Sequence, residues 1–224
     1  MKLNGKWGFV NKRGEVVVSI IYERVRSFSE GLAIVVLNGK SGAIDKTGKI
    51  LIPCKYDGMK AFSEGLAPIG LNGKCGFINK TGSLIISYKY TNADYFMENL
   101  APVELNGKWG YIDKSGKEVI AFKYDEVGHF YEGHAIVKQN GKRGCIDKLG
   151  NVVLPCKYDE ICPFYEGLAQ VKLNGKMGYI DKTWREVIPC KYEDSEHFGE
   201  GVAKVKFNGL WYYIDRTGMK VLRL

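Results

Sequence analysis

The chain has 224 residues, 45% of them hydrophobic and 26% charged, with a formal net charge of +8. That apolar content supports a packed core and excludes a disordered chain. The longest apolar runs, such as Val16–Val18 and Leu51–Ile52, are far too short for a membrane helix, which needs ~18 residues or more. Six irregularly spaced cysteines do not make a disulfide framework.

The chain opens on one early lysine and then LNGKWGFV, with no apolar run of the kind a signal peptide carries. A cytoplasmic location is therefore expected, unless Met1 begins an excised fragment. The same stretch returns almost unchanged at Leu105 to Gly116. Asn-Gly pairs fall at Asn4, Asn38, Asn72, Asn106, Asn140, Asn174 and Asn208, each 34 residues after the last. The chain reads as one repeat array over 1–224. Its units start at 3, 37, 71, 105, 139 and 173, with a truncated unit at 207.

Each unit predicts strands. Asn-Gly between two alternating runs is a hairpin signal, because both residues accept φ > 0. LAIVVL–NG–KSGAID therefore reads as strand, turn, strand. DKTGK is the next turn, with Gly48 left-handed, and KILIPCKY is the return strand. From Tyr56, DGMKAFSEG connects to the next hairpin and ends at Gly65. That makes about three short antiparallel strands per unit. No window shows uninterrupted helical spacing.

Aligned units expose recurring positions. A glycine recurs at Gly8, Gly42, Gly76, Gly110, Gly144 and Gly178, followed two residues on by Val or Ile. The tyrosines Tyr22, Tyr56, Tyr90, Tyr124, Tyr158 and Tyr192 recur. So do Phe28, Phe62, Phe96, Phe130, Phe164 and Phe198, each two residues before a glutamate, Glu30 through Glu200. In these motifs, and in units such as GKWGYIDKSGKEVIAFKYDEVGHFYEG, the chain resembles the bacterial WG-repeat family. The resemblance covers essentially the whole chain. It implies a β-rich repeat array, and no catalytic residues or cofactor.

Period-two alternation assigns faces. Ala33 and Val35 share one face, and Leu32 and Ile34 the other. The Ile34 position becomes Pro68, Pro102, Ile136, Gln170 and Lys204, which predicts a solvent-facing, variable surface. Val10 shares a face with Gly8 and is expected in the core, with Gly8 leaving room for a recurrent Tyr or Phe. Trp7 and Phe9 fall on the other face. The tryptophan position reads Trp7, Ser41, Cys75, Trp109, Arg143, Met177 and Trp211. A deeply buried site would not take Arg143, so this position is expected to be half-exposed. Two breaks stand out. Trp184 replaces the turn glycine, and the last unit carries Leu210, Tyr212 and Arg223, as a cap would. The expected architecture is all-β, an open β-solenoid of stacked hairpins, with a closed β-propeller as the alternative.

No motif points to catalysis. Cys54, Cys156 and Cys190 share one unit position, but no CxxC pair exists and no histidine keeps their register, so a small buried residue is the simpler reading than a metal site. His129, His134 and His197 do not repeat, and no nucleophile elbow is present. The recurrent glutamates fit turn capping or lysine pairing. Lysines recur at three unit positions, and ladders of Lys108, Lys142 and Lys176 with Trp7, Trp109, Trp211 and Arg143 form the candidate binding surface. Such ladders could take nucleic acid, glycan or another polyanion, although neighbouring acidic ladders would neutralise much of the charge. The expected role is a non-catalytic scaffold binding another protein, without cofactor or metal and away from any membrane.

Overall fold

A computed structural model describes residues 1–221. Arg223 therefore lies outside the described residues. Among these the chain is all-β, without a helix, and is built from seven small open antiparallel sheets. No described helix is long and apolar enough to cross a membrane.

Sheet 2 shows the plan. An outer strand (Arg24–Val25) pairs with an incoming strand (Ala33–Leu37). That strand turns at Asn38-Gly39 into the outgoing strand (Lys40–Ile44), which turns again into the return strand (Ile50–Tyr56). The return strand leads directly to the outer strand of the next sheet. Sheets 3 to 7 follow at 58–90, 92–124, 126–158, 160–192 and 194–221, and sheet 1 has three strands within 2–22. The expected connector thus hides a fourth strand. A 34-residue unit accommodates it because it is two residues long in sheets 2 to 5 and 7; in sheet 6 it runs Glu160–Tyr165.

Local chemistry explains the turns. All seven Asn-Gly pairs have φ > 0 at both residues, as at Asn38 (52°) and Gly39 (72°). The DKTG turns are held by the Asp side chain: Asp45 Oδ1 accepts from the amides of Thr47 and Lys49 and from the Thr47 hydroxyl. A second, unexpected tight turn lies in the connector. Glu30 and Gly31 both have φ > 0, between the mutual hydrogen bonds of Ser29 and Leu32. Trp184, in the place of a glycine, is held at φ 64° with its ring edge-on to Phe164 at 5.3 Å.

The chain falls into two compact units. One is Met1–Lys123 with His129–Tyr131; the other is Tyr124–Gly128 with the chain from Glu132 onward. Within the first, the faces of sheets 1 and 2, 2 and 3, and 3 and 4 share apolar clusters. Within the second, sheets 5 and 6 and sheets 6 and 7 do the same. The recurrent tyrosines are buried as expected, as are Phe62, Phe96, Phe130 and Phe198. Phe96 and Phe198 pack on Phe77 and Tyr179 of the preceding sheet, at 5.1 and 4.9 Å.

That packing overturns the one-faced reading of the strands. Phe77, Tyr111 and Tyr179 lie on the face assigned to solvent, yet all are buried. An internal sheet has neighbours on both faces, so both sets of alternate residues are covered. The recurrent Val or Ile position does lie in the core, with Ile44, Ile78, Ile112, Ile146, Ile180 and Ile214 buried, and Val10 of the first sheet departs from it at 36% exposed.

The recurrent glycine has a different cause from the expected one. Between the outgoing and return strands the register jumps: Cys75 pairs with Tyr90 but Phe77 with Ile86, so Gly76 alone faces residues 87–89. This bulge presses its backbone onto the glycine. A Cβ on Gly76 would sit 2.5 Å from Ile86 O and 3.1 Å from Ser87 C. The room at this position is for main chain, not for an aromatic ring.

Candidate interaction surface

The recurrent charges bind the repeat to itself. Lys6 and Lys40, which follow their Asn-Gly turns, lie 3.7 Å from Glu23 and 2.6 Å from Asp57, and Lys142 pairs with Asp159. The same acids cap the next hairpin. Glu23 accepts from the Gly39 amide at 3.0 Å, and Asp57 from the Asn72 amide at 2.7 Å. Its Lys40 and Asn72 donors hold the Asp57 carboxyl below its ordinary range.

A second acidic set joins successive connector turns. Glu30 accepts from the Gly65 amide at 3.1 Å and meets Lys80 at 2.9 Å. Glu64 accepts from the Asn99 amide and meets Lys114, both at 3.0 Å. In the second unit Glu166 takes the amides of Glu200 and Gly201 together with Arg216. The glutamates thus both cap turns and pair with lysines. The third lysine set lies over its neighbouring tyrosines, as Lys157 does over Tyr158 at 4.9 Å.

The seven candidate surface residues share a register rather than a site. Trp7, Lys108 and Trp109 stand in the first unit, and Lys142, Arg143, Lys176 and Trp211 in the second, each at the start of an outgoing strand. Trp7 and Trp109 are partly buried, and Trp211 is 43% exposed. Lys2 lies 5.5 Å from the Trp7 ring, and Lys204 lies 5.2 Å from that of Trp211. Arg143 and Lys138 both approach Glu126, at 3.6 and 2.8 Å. Lys176 has no ion-pair partner among the described residues.

The variable Ile34 position is not a solvent face. Ile34, Pro68, Pro102 and Gln170 are buried, and Ile136 and Lys204 are partly buried. Gln170 is satisfied there, donating to Ser195 O at 2.7 Å and meeting Ser195 Oγ at 2.8 Å. Variation at this position matches one sheet to the next.

The cysteines are protected thiols. Burial pushes Cys145 up to about 12 and Cys190 up to about 11. Cys54, Cys156 and Cys190 occupy the bulge, where each sulfur would lie 2.8 Å from a Cβ on the glycine it covers. His129 joins a different cluster. Its ring stacks on Tyr95 at 4.1 Å, and its Nε2 lies 3.6 Å from Asp94 Oδ2. Burial alone would raise the Asp94 carboxyl. Hydrogen bonds from His129, the Tyr95 amide and Lys60 outweigh it and lower the group to about 2.

Apart from these pairings stands a set of exposed apolar residues. In sheets 1 to 3 the return strand begins with two consecutive exposed apolar residues: Val16 and Val17, Ile50 and Leu51, Leu84 and Ile85, each 39–55% exposed. Sheets 4, 5 and 6 keep a single exposed valine there, Val119, Val152 and Val187. In the first unit these pairs recur at the same place in three successive sheets. The DKTG-type turn of each sheet rests on the preceding return strand: a Cβ on Gly48 would lie 3.5 Å from Val17 O, and one on Gly116 3.2 Å from the Ile86 side chain. Two adjacent apolar residues at a strand start were the available sequence signal, since they break the alternation of a half-buried strand.

A model of the family described as "WG containing repeat" matches residues 7–40, 42–75, 76–109, 109–142, 144–176 and 177–211. Comparison with curated proteins finds no match. Among solved structures, one described as the eukaryotic initiation factor aligns with a TM-score of 0.50 at 12% identity, over 92% of this chain and 66% of that one. Hsv2 of Kluyveromyces lactis aligns with a TM-score of 0.45 at 6% identity, over 84% and 71% of the two chains. At such identities the first likeness is one of fold alone.

Proposed function

The chain belongs to the WG containing repeat family, and from that premise we propose that it is a non-catalytic scaffold that holds another protein. One observation carries this reading: the recurring pairs of exposed apolar side chains on the return strands, Val16–Val17, Ile50–Leu51 and Leu84–Ile85. Pairs of large apolar side chains left in water at the same position of successive sheets favour a surface that a partner covers. A protein partner meets that chemistry, whereas a polyanion does not. Binding of nucleic acid or glycan is the second reading. It draws on Lys176 and the partly exposed tryptophans, and is weakened because so many of the recurrent lysines already face carboxylates.

The test is retention of a defined binding protein from the source cell, at low and high salt, by the native chain and by the triple variant Val17→Ser, Leu51→Ser, Ile85→Ser. Salt-resistant retention lost in the variant is the expected result. Retention of heparin or nucleic acid that vanishes with salt and ignores the variant would instead support the polyanion reading.

A further inference from the structure

A cavity of about 430 Å³ lies in the first unit, lined by residues of sheets 1, 2 and 3. Two departures from the repeat accompany it. Ser41 stands where other sheets carry Trp7, Cys75, Trp109, Arg143, Met177 or Trp211, and Gly58 stands where other outer strands carry Arg24, Asn92, Glu126, Glu160 or Asp194. Only here does a small residue at the first position meet a glycine at the second, since Cys75 is followed by Asn92 in the next outer strand. Its size falls within the ~300–1,000 Å³ of ordinary ligand pockets.

The chemistry of the walls is specific. Arg24 and Arg26 both line the cavity, and neither guanidinium has a partner among the described residues. The Ser41 hydroxyl is likewise unpartnered there, although Ser41 is only 6% exposed. The carboxylate on this wall is already engaged, since Asp57 holds Lys40 and the Asn72 amide. The cavity therefore presents two unneutralised planar forks and a free hydroxyl beside the apolar walls of Ile34 and Met59. Guanidinium forks match carboxylates in two-point geometry. Gly58–Met59 is also the edge strand of sheet 3, where an extended chain can lie alongside.

We infer that the cavity bounded by Ser41, Gly58, Arg24 and Arg26 is a binding site for an acidic peptide segment, a carboxylate side chain flanked by an apolar one. This deepens the protein-scaffold reading and rests on it: the exposed apolar pairs supply area, and this site selects an acidic partner sequence.

The experiment titrates ¹⁵N-labelled full chain with acetyl-Leu-Glu-Leu-Glu-amide, its Gln counterpart, and inorganic phosphate, following amide shifts. The acidic peptide is expected to shift Ser41 and Gly58 saturably, and the Gln peptide to bind about tenfold more weakly. Ser41→Trp, which installs the residue found in three other sheets, is expected to abolish the shifts. If that variant does not fold, the exposed pair Arg24→Gln and Arg26→Gln decides, with an expected loss of about tenfold. Equal binding of the two peptides, shifts unaffected by the arginine pair, or saturation by phosphate with no response to the peptide would each overturn the inference. The triple apolar variant should leave the peptide shifts unchanged. If the peptide fails while partner retention still depends on the apolar pairs, only the pocket assignment falls.

Discussion

Gly76→Ala tests the account of the bulge most directly. An alanine Cβ would meet Ile86 O at 2.5 Å, and ordinary contact begins at 3.4 Å. The crowding group is main chain, so no rotamer change relieves it. The return strand must retreat by about 0.9 Å, the difference between those distances, which strains the hydrogen bonds around the Phe77–Ile86 pair. Overpacking of this kind costs about 1–3 kcal/mol, and each weakened ladder bond about 1 kcal/mol. The expected loss is about 3 kcal/mol. Two glycines of the same sheet separate this cause from the others. Gly73 has open space but φ 73°, so Gly73→Ala should cost about 1 kcal/mol through backbone strain alone. Gly58 has open space and no positive φ, so Gly58→Ala should stay within about 0.5 kcal/mol of the native chain. Urea unfolding followed by both tryptophan fluorescence and circular dichroism gives the three midpoints. If Gly76→Ala costs no more than Gly73→Ala, the close approach is not the reason for the recurrent glycine.

Asp94 supplies a pH test. Its carboxyl lies at about 2 in the folded chain against 3.8 ordinarily. Its stabilisation is therefore present above 3.8 and lost as pH falls towards 2, amounting to about 1–2 kcal/mol after allowance for partial exposure. The stability gap between native chain and Asp94→Asn should narrow by that amount between pH 5 and pH 2, and a constant gap would contradict the pairing. Glu64→Ala removes the cap on Asn99 and the contact with Lys114; a loss of about 1 kcal/mol is expected, with Glu64→Gln retaining part of it, read by thermal melting. Cys145 and Cys190, held protonated by burial, should resist iodoacetamide at pH 8 until denaturant is added, as mass spectrometry of modified peptides would show. Rapid alkylation of Cys145 in the native chain would refute its burial.

The turns were legible in the sequence. Asn-Gly accepts φ > 0 at both positions, and Asp at the head of DKTG bonds the amides two and four residues on. These are properties of a few neighbouring atoms, and the 34-residue period set the number of hairpins. The aromatic core was legible for the same reason: Tyr56 and Phe62 recur at positions where only burial explains a large ring in every copy. The candidate surface was legible in its register but not in its partners. Lys40 meets Asp57, seventeen residues away, and Glu30 reaches Gly65 of the next unit.

What tertiary structure alone decided lies where one sheet meets the next. Alternation along a strand tells its two faces apart, but cannot tell whether one or both are covered, so Phe77 and Gln170 looked solvent-facing until adjacent sheets were placed on them. Gly76 looked like room for a ring, because a bulge is a property of two strands and appears in neither alone. The cavity beside Ser41 and Gly58 likewise requires two small residues from different sheets to face each other. Local backbone preference is written in adjacent residues. Burial, charge pairing and cavities depend on which distant residues the stacking brings together.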